Sequence, residues 1–274
     1  MRPHRNQTNT VNPKFSVIIA YYKNLPNLEV ILLGLEQQVF KSFEVIVSED
    51  DDDAATAAFI RQYNQSSTFV TKHVFQADLG FRKNKALNQS LRVSDGEVIA
   101  FLDGDCVPHP YFLYQYNHLV SDGVACFGRR VFLNKAFSAN LLHTQNLSAL
   151  TFPNLLFNND GGLKYGLYLP YDWVNVRARM GIYGCNWAIF KKHLVAINGF
   201  DEDYVRAGVG EDADVEWRLA AMGVRLRSTR NKTIVYHLYH KANYSEADVD
   251  INWELYRQKV ETGQFFCANG LQKI

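Results

Sequence analysis

Phe15 to Val47 reads FSVIIAYYKNLPNLEVILLGLEQQVFKSFEVIV. FSVIIA, residues 15–20, is a short β-branched run of the kind that parallel strands bury on both faces, and Tyr21–Asn27 breaks it. Leu28–Gln38 carries apolar residues at helical spacing, and FEVIV, residues 43–47, repeats the strand signature before the acidic run Ser48–Asp53. Strand, helix and strand in so short a span predict two parallel strands joined by a right-handed crossover.

The same alternation continues outward. Ala54–Tyr63 reads as a helix, Phe69–Phe75 as a strand, Asn84–Leu91 as a helix, and VIAFL, residues 98–102, as a buried strand stopping at Asp103. The expected fold class is therefore α/β: a single Rossmann-like, mostly parallel central sheet flanked by helices, with ligands beyond the carboxyl ends of its strands. Further on, Val124–Val131, Cys185–Phe190 and Thr233–Tyr236 read as strands, and Phe200–Gly223 as a loop followed by a helix. Ser245–Val260 is a helix that Ser245 caps. Asn134–Gly181 is aromatic and loop-rich, as an acceptor-side surface would be, and its Phe152–Trp173 stretch suits an acceptor groove, core packing or peripheral membrane contact.

The 274 residues are 47% apolar and 14% aromatic, ample for a large core, and the formal net charge of +1 supplies no overall field to recruit nucleic acid. Cys106, Cys126, Cys185 and Cys267 show no paired spacing, so they read as reduced thiols rather than a zinc site or disulfide framework. Residues 1–12 read as a flexible leader without the apolar core of a signal peptide, and a cytoplasmic location, at or near the inner face of the membrane, is the expectation.

Four segments carry chemistry. FLDGDCVPHP, residues 101–110, ends a strand at Asp103-Gly104-Asp105, where residues two apart share a side and the glycine allows close approach, so both acids can face a hard cation or a sugar hydroxyl. Gly210-Glu211-Asp212-Ala213-Asp214 opens a helix with more acids than capping requires, and a carboxylate there can act as general base. His237-Leu238-Tyr239-His240 closes a strand with imidazoles able to complete a coordination sphere begun by Asp105. Gly80-Phe81-Arg82-Lys83-Asn84-Lys85 places cations in a turn entering a helix, a suitable seat for a diphosphate. An acid in the run Glu49–Asp53 can accept the imide N–H of a uracil.

In this order the segments resemble glycosyltransferase family 2, the GT-A fold, and within it the branch similar to β-1,4-galactosyltransferases and bacterial chondroitin-type polymerases. The resemblance spans Phe15–His240 and rests most specifically on Tyr183-Gly184-Cys185-Asn186-Trp187-Ala188, Ile197-Asn198-Gly199-Phe200-Asp201-Glu202 and Gly210-Glu211-Asp212. Asp78-Leu79-Gly80-Phe81-Arg82 and Lys85-Ala86-Leu87-Asn88 resemble the family's donor segment.

The resemblance implies a catalytic domain over residues 13–240, with a nucleotide-binding half to residue 110, an acceptor-binding half beyond it, and a helical tail over 241–274. It implies that Ala20, Tyr22, Phe81, Lys83, Lys85, Asp103, Gly104, Asn186 and Trp187 lie near a UDP-sugar, with Glu49 or Asp50 at the base. Asp105, His240 and His237 would bind Mn2+ or Mg2+, Asp212 would be the base of an inverting displacement, and Glu211 would hold the acceptor or donor sugar. A hexose or N-acetylhexosamine would pass to a glycan or lipid-linked glycan. Two departures stand out: Arg206-Ala207-Gly208-Val209 replaces the tryptophan-bearing approach to the GED motif, and Glu49-Asp50-Asp51-Asp52 replaces the usual D-D-G-S. A sugar nucleotidyltransferase is disfavoured because Tyr21–Pro26 lacks the glycines of a triphosphate loop. A non-catalytic nucleotide-sugar-binding subunit is disfavoured by the joint presence of DxD, GED and histidines.

Overall fold

The computed structural model describes residues 14–171, 181–208, 210–241 and 245–274. The leader expected over 1–12, together with Trp173 and Val209, lies outside the described residues. In chain order the elements are β1 (Phe15–Tyr21), α1 (Leu25–Glu36), β2 (Phe43–Glu49), α2 (Ala54–Tyr63), β3 (Thr71–Phe75), α3 (Lys83–Val93), β4 (Val98–Asp103), β5 (Cys106–Pro108), α4 (Phe112–Leu119) and β6 (Val124–Phe127). There follow β7 (Arg129–Leu133), α5 (Lys135–Thr144), α6 (Phe152–Leu155), β8 (Asn159–Gly161), β9 (Asn186–Phe190), α7 (Lys191–Ala196), α8 (Glu211–Ala221), β10 (Arg225–Ser228), β11 (Ile234–His237) and α9 (Glu246–Thr262).

Seven strands form the central sheet in the order β10-β6-β9-β4-β1-β2-β3, parallel throughout except for β9. Strand alternation divides the core between its two faces: Val17, Ile19, Val45, Val47, Ala100 and Leu102 join one apolar cluster, while Ile18, Ile46, Ile99 and Phe101 join the other. The register pairs Ala20 with both Ser48 and Asp103, so β1, β2 and β4 end at one level and deliver their terminal residues to one edge.

A second sheet of four strands, β5-β11-β7-β8, stands beside the first. The segment read as one strand over Val124–Val131 divides between the sheets at Gly128, where a Cβ would fall 2.3 Å from the Asn186 amide nitrogen and 2.5 Å from the Thr233 carbonyl. Only glycine lets the chain pass there. The stretch expected to be loop-rich after Asn134 contains the regular helix α5, with the Asn134 side chain accepting the Phe137 N–H at 2.8 Å and Phe137 and Leu141 buried one turn apart. One i,i+4 pair is too weak a periodic signal to distinguish a helix from an aromatic loop.

The acidic run is put to structural use at its end: Asp53 caps α2 by accepting the Ala55 and Thr56 N–H groups. Ser245 caps α9 through a reciprocal capping box with Asp248, as its sequence position predicted. The tail beyond α9 folds back on the INGFDE turn, where Asn198, at φ +65°, donates to Cys267 O and Gln272 O and accepts the Gln272 N–H. All four cysteines are free and buried. Phe157 is 85% exposed, and among the described residues no helix is long and apolar enough to cross a membrane.

Candidate active site

The carboxyl ends of β1 and β4, the first turn of α3 and the N-terminus of α8 meet at a small cleft lined by Ala20, Lys83, Gly184, Trp187, Glu211 and Asp212, among others. Lys83 is its hub. Its Nζ lies 3.1 Å from Asp103 Oδ1 and 4.0 Å from Glu211 Oε1. Burial alone would discharge the amine, but the carboxylates of Asp103, Asp212 and Glu211 outweigh that and hold its pKa above the ordinary lysine value.

Asp212 points into the cleft and accepts the Gly184 N–H at 2.7 Å. Gly184 is required at this point, because a Cβ there would approach Asp212 Oδ1 at 2.9 Å and Lys83 Nζ at 3.0 Å. Burial raises the Asp212 pKa against the pull of Lys83. Glu211 is pushed up to about 7, first by burial and then by the charge of Asp212. Two acids displaced toward neutrality in one cleft are suited to proton transfer. The third acid of the run serves the fold: Asp214 is buried with Arg218, whose Nη1 also donates to Ile197 O and Gly199 O, tying α8 to the INGFDE turn.

The antiparallel pairing of β5 with β11 sets His237 opposite Cys106, and Leu238 N–H donates to Asp105 O at 2.8 Å. Asp105 Oδ2 therefore lies 2.9 Å from His240 Nε2 and 3.4 Å from His237 Nε2, and the three ligand atoms fall within 4.8 Å of one another. Donors 2.0–2.6 Å from a shared cation have mutual separations of about this size, and two imidazoles with one carboxylate suit a borderline divalent ion that keeps open positions. The residues fit such an ion. Without it, Asp105 and His240 form an ion pair: burial opposes the Asp105 charge, but the His240 hydrogen bond and the His237 charge depress its pKa to about 2, while Asp105 raises His240 to about 9. Burial lowers His237. The two acids of the DxD motif thus have separate partners, Asp103 turning to Lys83 and Asp105 to the histidines.

Other expected donor residues have different surroundings. Glu49 is fully buried, with Oε2 2.6 Å from His73 Nε2 and Oε1 unpartnered. Asp50, its pKa raised by burial, has both oxygens occupied, by Gln76 Nε2 at 2.7 Å and the Arg82 N–H at 2.6 Å. It shapes the Gly80–Lys83 turn. Tyr22 is half exposed and donates to Asp78, which also pairs with Lys23, while Phe81 and Lys85 are half-buried at the start of α3.

Three more of the expected residues are held by packing. Gly104 makes room for its own chain rather than a ligand: its N–H donates to Ala20 O at 2.7 Å, and a Cβ would crowd that oxygen at 2.9 Å. Asn186 is fully buried and turned from the cleft, accepting from Tyr116 Oη and donating to Arg129 O and Thr233 O. Trp187 edges the cleft but is 1% exposed, its ring stacked on Phe101 at 4.4 Å. An alternating strand shows the sequence reader neither which face a residue takes nor which carbonyl lies in reach.

The sequence pattern of Glycosyl transferase family 2 matches residues 16–169, more than half of the chain. The chain belongs to glycosyl transferase family 2. Residues 174–241, which hold the GED motif and both histidines, match the N-terminal domain of galactosyltransferase. Chondroitin synthase of Escherichia coli is 27% identical over 266 residues, covering 89% of this chain and 38% of its own length. Hyaluronan synthase of Pasteurella multocida is 27% identical over 265 residues, covering 89% and 27%. The chain therefore spans about a third of the length of these curated relatives. Among solved structures, TarS of S. aureus aligns with a TM-score of 0.62 at 17% identity, covering 90% of this chain and 39% of that one. GalNAc-T7 with UDP, GalNAc and Mn2+ aligns at 0.62 and 13%, covering 92% and 48%. The family match, the named relatives and the shared architecture agree with the α/β fold and the glycosyltransferase class expected from the motifs.

Arg130 on β7 is the site residue that sequence reading passed over. Its charge helps lower the Asp212 pKa and contributes to the field at both histidines. The signal was present: an arginine pair, Arg129-Arg130, interrupting an apolar strand.

Proposed function

We propose that this chain is an inverting, metal-dependent transferase that moves a hexose or N-acetylhexosamine from a UDP-sugar to a hydroxyl of a glycan or lipid-linked glycan. The observation that carries the proposal is the Asp212 carboxylate, fixed by the Gly184 N–H in a cleft shared with Lys83 and Asp103. One well-held proton acceptor is what a single displacement requires.

The acceptor hydroxyl gives its proton to Asp212 as its oxygen bonds to the anomeric carbon. The anomeric C–O bond to phosphate breaks on the opposite face, its electron pair stays on the phosphate oxygen, and the nucleoside diphosphate leaves. Glu211 holds a sugar hydroxyl, and Lys83 orients Asp103 and offers a cation to the phosphates. Asp105, His237 and His240 would hold the divalent ion, which when bound supplies charge neutralisation for the departing diphosphate. The structures of GalNAc-T7 with UDP, GalNAc and Mn2+ and of a Pyrobaculum calidifontis mannosyltransferase with GDP-Man and Mn2+ support that choice, and the chondroitin and hyaluronan synthases support a glycan acceptor.

The test is Asp212→Asn. Asparagine preserves the acceptor for the Gly184 N–H and removes the base, so transfer falls by about 10²–10⁴-fold while UDP with Mn2+ still raises the melting temperature. Normal turnover in this variant would remove Asp212 from the mechanism.

A further inference from the structure

β7 carries a further cation, Arg130, whose charge reaches Asp212 and both histidines. Val131 and Leu133 turn into the core, so Arg130 and Phe132 stand on the opposite face of the strand. The parallel register with β11 sets Val235 beside Arg130 and His237 beside Phe132. The Arg130 guanidinium carbon lies 4.8 Å from the centroid of the Phe132 ring, that ring 5.0 Å from His237, and His237 5.0 Å from His240. A guanidinium therefore ends a row of rings whose other end is the Asp105, His237, His240 cluster.

Among the described residues no carboxylate comes within 4.0 Å of Arg130, in contrast to Lys83 and its Asp103. The planar fork of a guanidinium matches phosphate oxygens. Arg130 keeps its charge: burial opposes it, and the carboxylates of Asp103 and Asp105 favour it. A diphosphate entering the site meets the carboxylates of Asp103, Asp105, Glu211 and Asp212, and the single charge of Lys83, 3.1 Å from Asp103, does not offset all of them.

We propose that Arg130 is a catalytic residue whose guanidinium grips the phosphate oxyanions of the nucleoside diphosphate as its bond to the sugar breaks. This rests on the donor reading given under Proposed function. The Phe132 ring, its centroid 4.8 Å from the guanidinium carbon, restrains the arginine at one end of the row, so less side-chain freedom is lost on contact.

The experiment is calorimetric titration of UDP and of uridine, each with Mn2+, into the full chain and its Arg130→Gln and Arg130→Lys variants. A melting curve of each unliganded protein accompanies the titrations. Arg130→Gln is expected to lose about 10–100-fold in UDP affinity, the range for hydrogen bonds to charged groups. Uridine affinity and Mn2+ binding without nucleotide should not weaken. Arg130→Lys, which keeps a point charge but no fork, should fall between, and it decides the matter if the glutamine variant does not fold. Equal UDP affinity in folded variants overturns the assignment, as does an unchanged UDP affinity with a raised acceptor KM, which would give the arginine to an acceptor carboxylate. If the unaltered protein binds neither UDP nor uridine with Mn2+, the donor reading itself fails and the role of Arg130 falls with it.

Discussion

Asp214→Asn tests whether the GED helix is anchored as described. Asp214 and Arg218 are each 1% exposed, and Asp214 Oδ2 accepts Arg218 Nε–H at 2.7 Å and lies 2.6 Å from Nη2 in the ion pair. Asparagine keeps the shape and one acceptor, but it removes the charge that balances a guanidinium sealed from water. Arg218 cannot swing out to solvent, because its Nη1 is bonded to Ile197 O at 2.9 Å and Gly199 O at 2.7 Å. Removing one partner of a buried pair costs about 3–5 kcal/mol. At roughly 2–4 °C per kcal/mol for a chain of this size class, the melting temperature should drop by about 6–20 °C. The assay is thermal unfolding at neutral pH, alongside the double variant Asp214→Asn with Arg218→Met, in which most of the loss should be recovered because no buried charge remains. A drop below about 2 °C for the single variant, or a double variant no better than the single, would show that the pair does not hold α8 to the INGFDE turn.

His240→Ala should weaken Mn2+ binding by about tenfold or more, read by metal titration against the melting temperature, and His237→Ala should act in the same direction. Gly184→Ala, at an ordinary φ, should leave the melting temperature nearly intact yet reduce transfer by about 100-fold by displacing Asp212 and Lys83; unaltered transfer would refute the crowding argument. For pH, Glu211 is raised from 4.5 to about 7 by burial and by Asp212, so the folded state holds a proton that the unfolded state releases. Its stabilising contribution is complete below pH 4.5 and is lost as pH rises to about 7. Melting temperatures over that window should therefore show a decline in the unaltered protein that is smaller in Glu211→Gln.

The repeating strand and helix signals up to Asp103 were legible because buried parallel strands are written as uninterrupted β-branched runs, with glycine and asparagine between them. The meeting of Asp105 with His237 and His240 was legible from residue chemistry and from family resemblance, although Asp105 comes just before β5, His237 ends β11 and His240 follows it, and no local pattern announces the pairing of those strands. What stayed hidden depended on three-dimensional neighbours. Gly104 and Gly128 look alike in sequence, yet one clears a β1 carbonyl and the other a crossing between sheets. Asn84 and Asn88, part of a donor-like segment, donate to Asp201 O and Phe200 O, so their amides hold the INGFDE turn. Arg130 was missed because a charged residue in a strand reads as a solvated edge until its neighbours are known.

Asn186 bridges the two sheets with a single amide. It begins β9, close to the Gly184 that seats Asp212, while its Nδ2 holds the carbonyls of Arg129 and Thr233 on the way into β7 and β11. The spacing between Asp212 and the Asp105, His237, His240 cluster is thus governed by a hinge pin that touches neither. On the proposed mechanism, a change at this one interior position would slow the reaction while Asp212, Asp105, His237 and His240 all stayed in place.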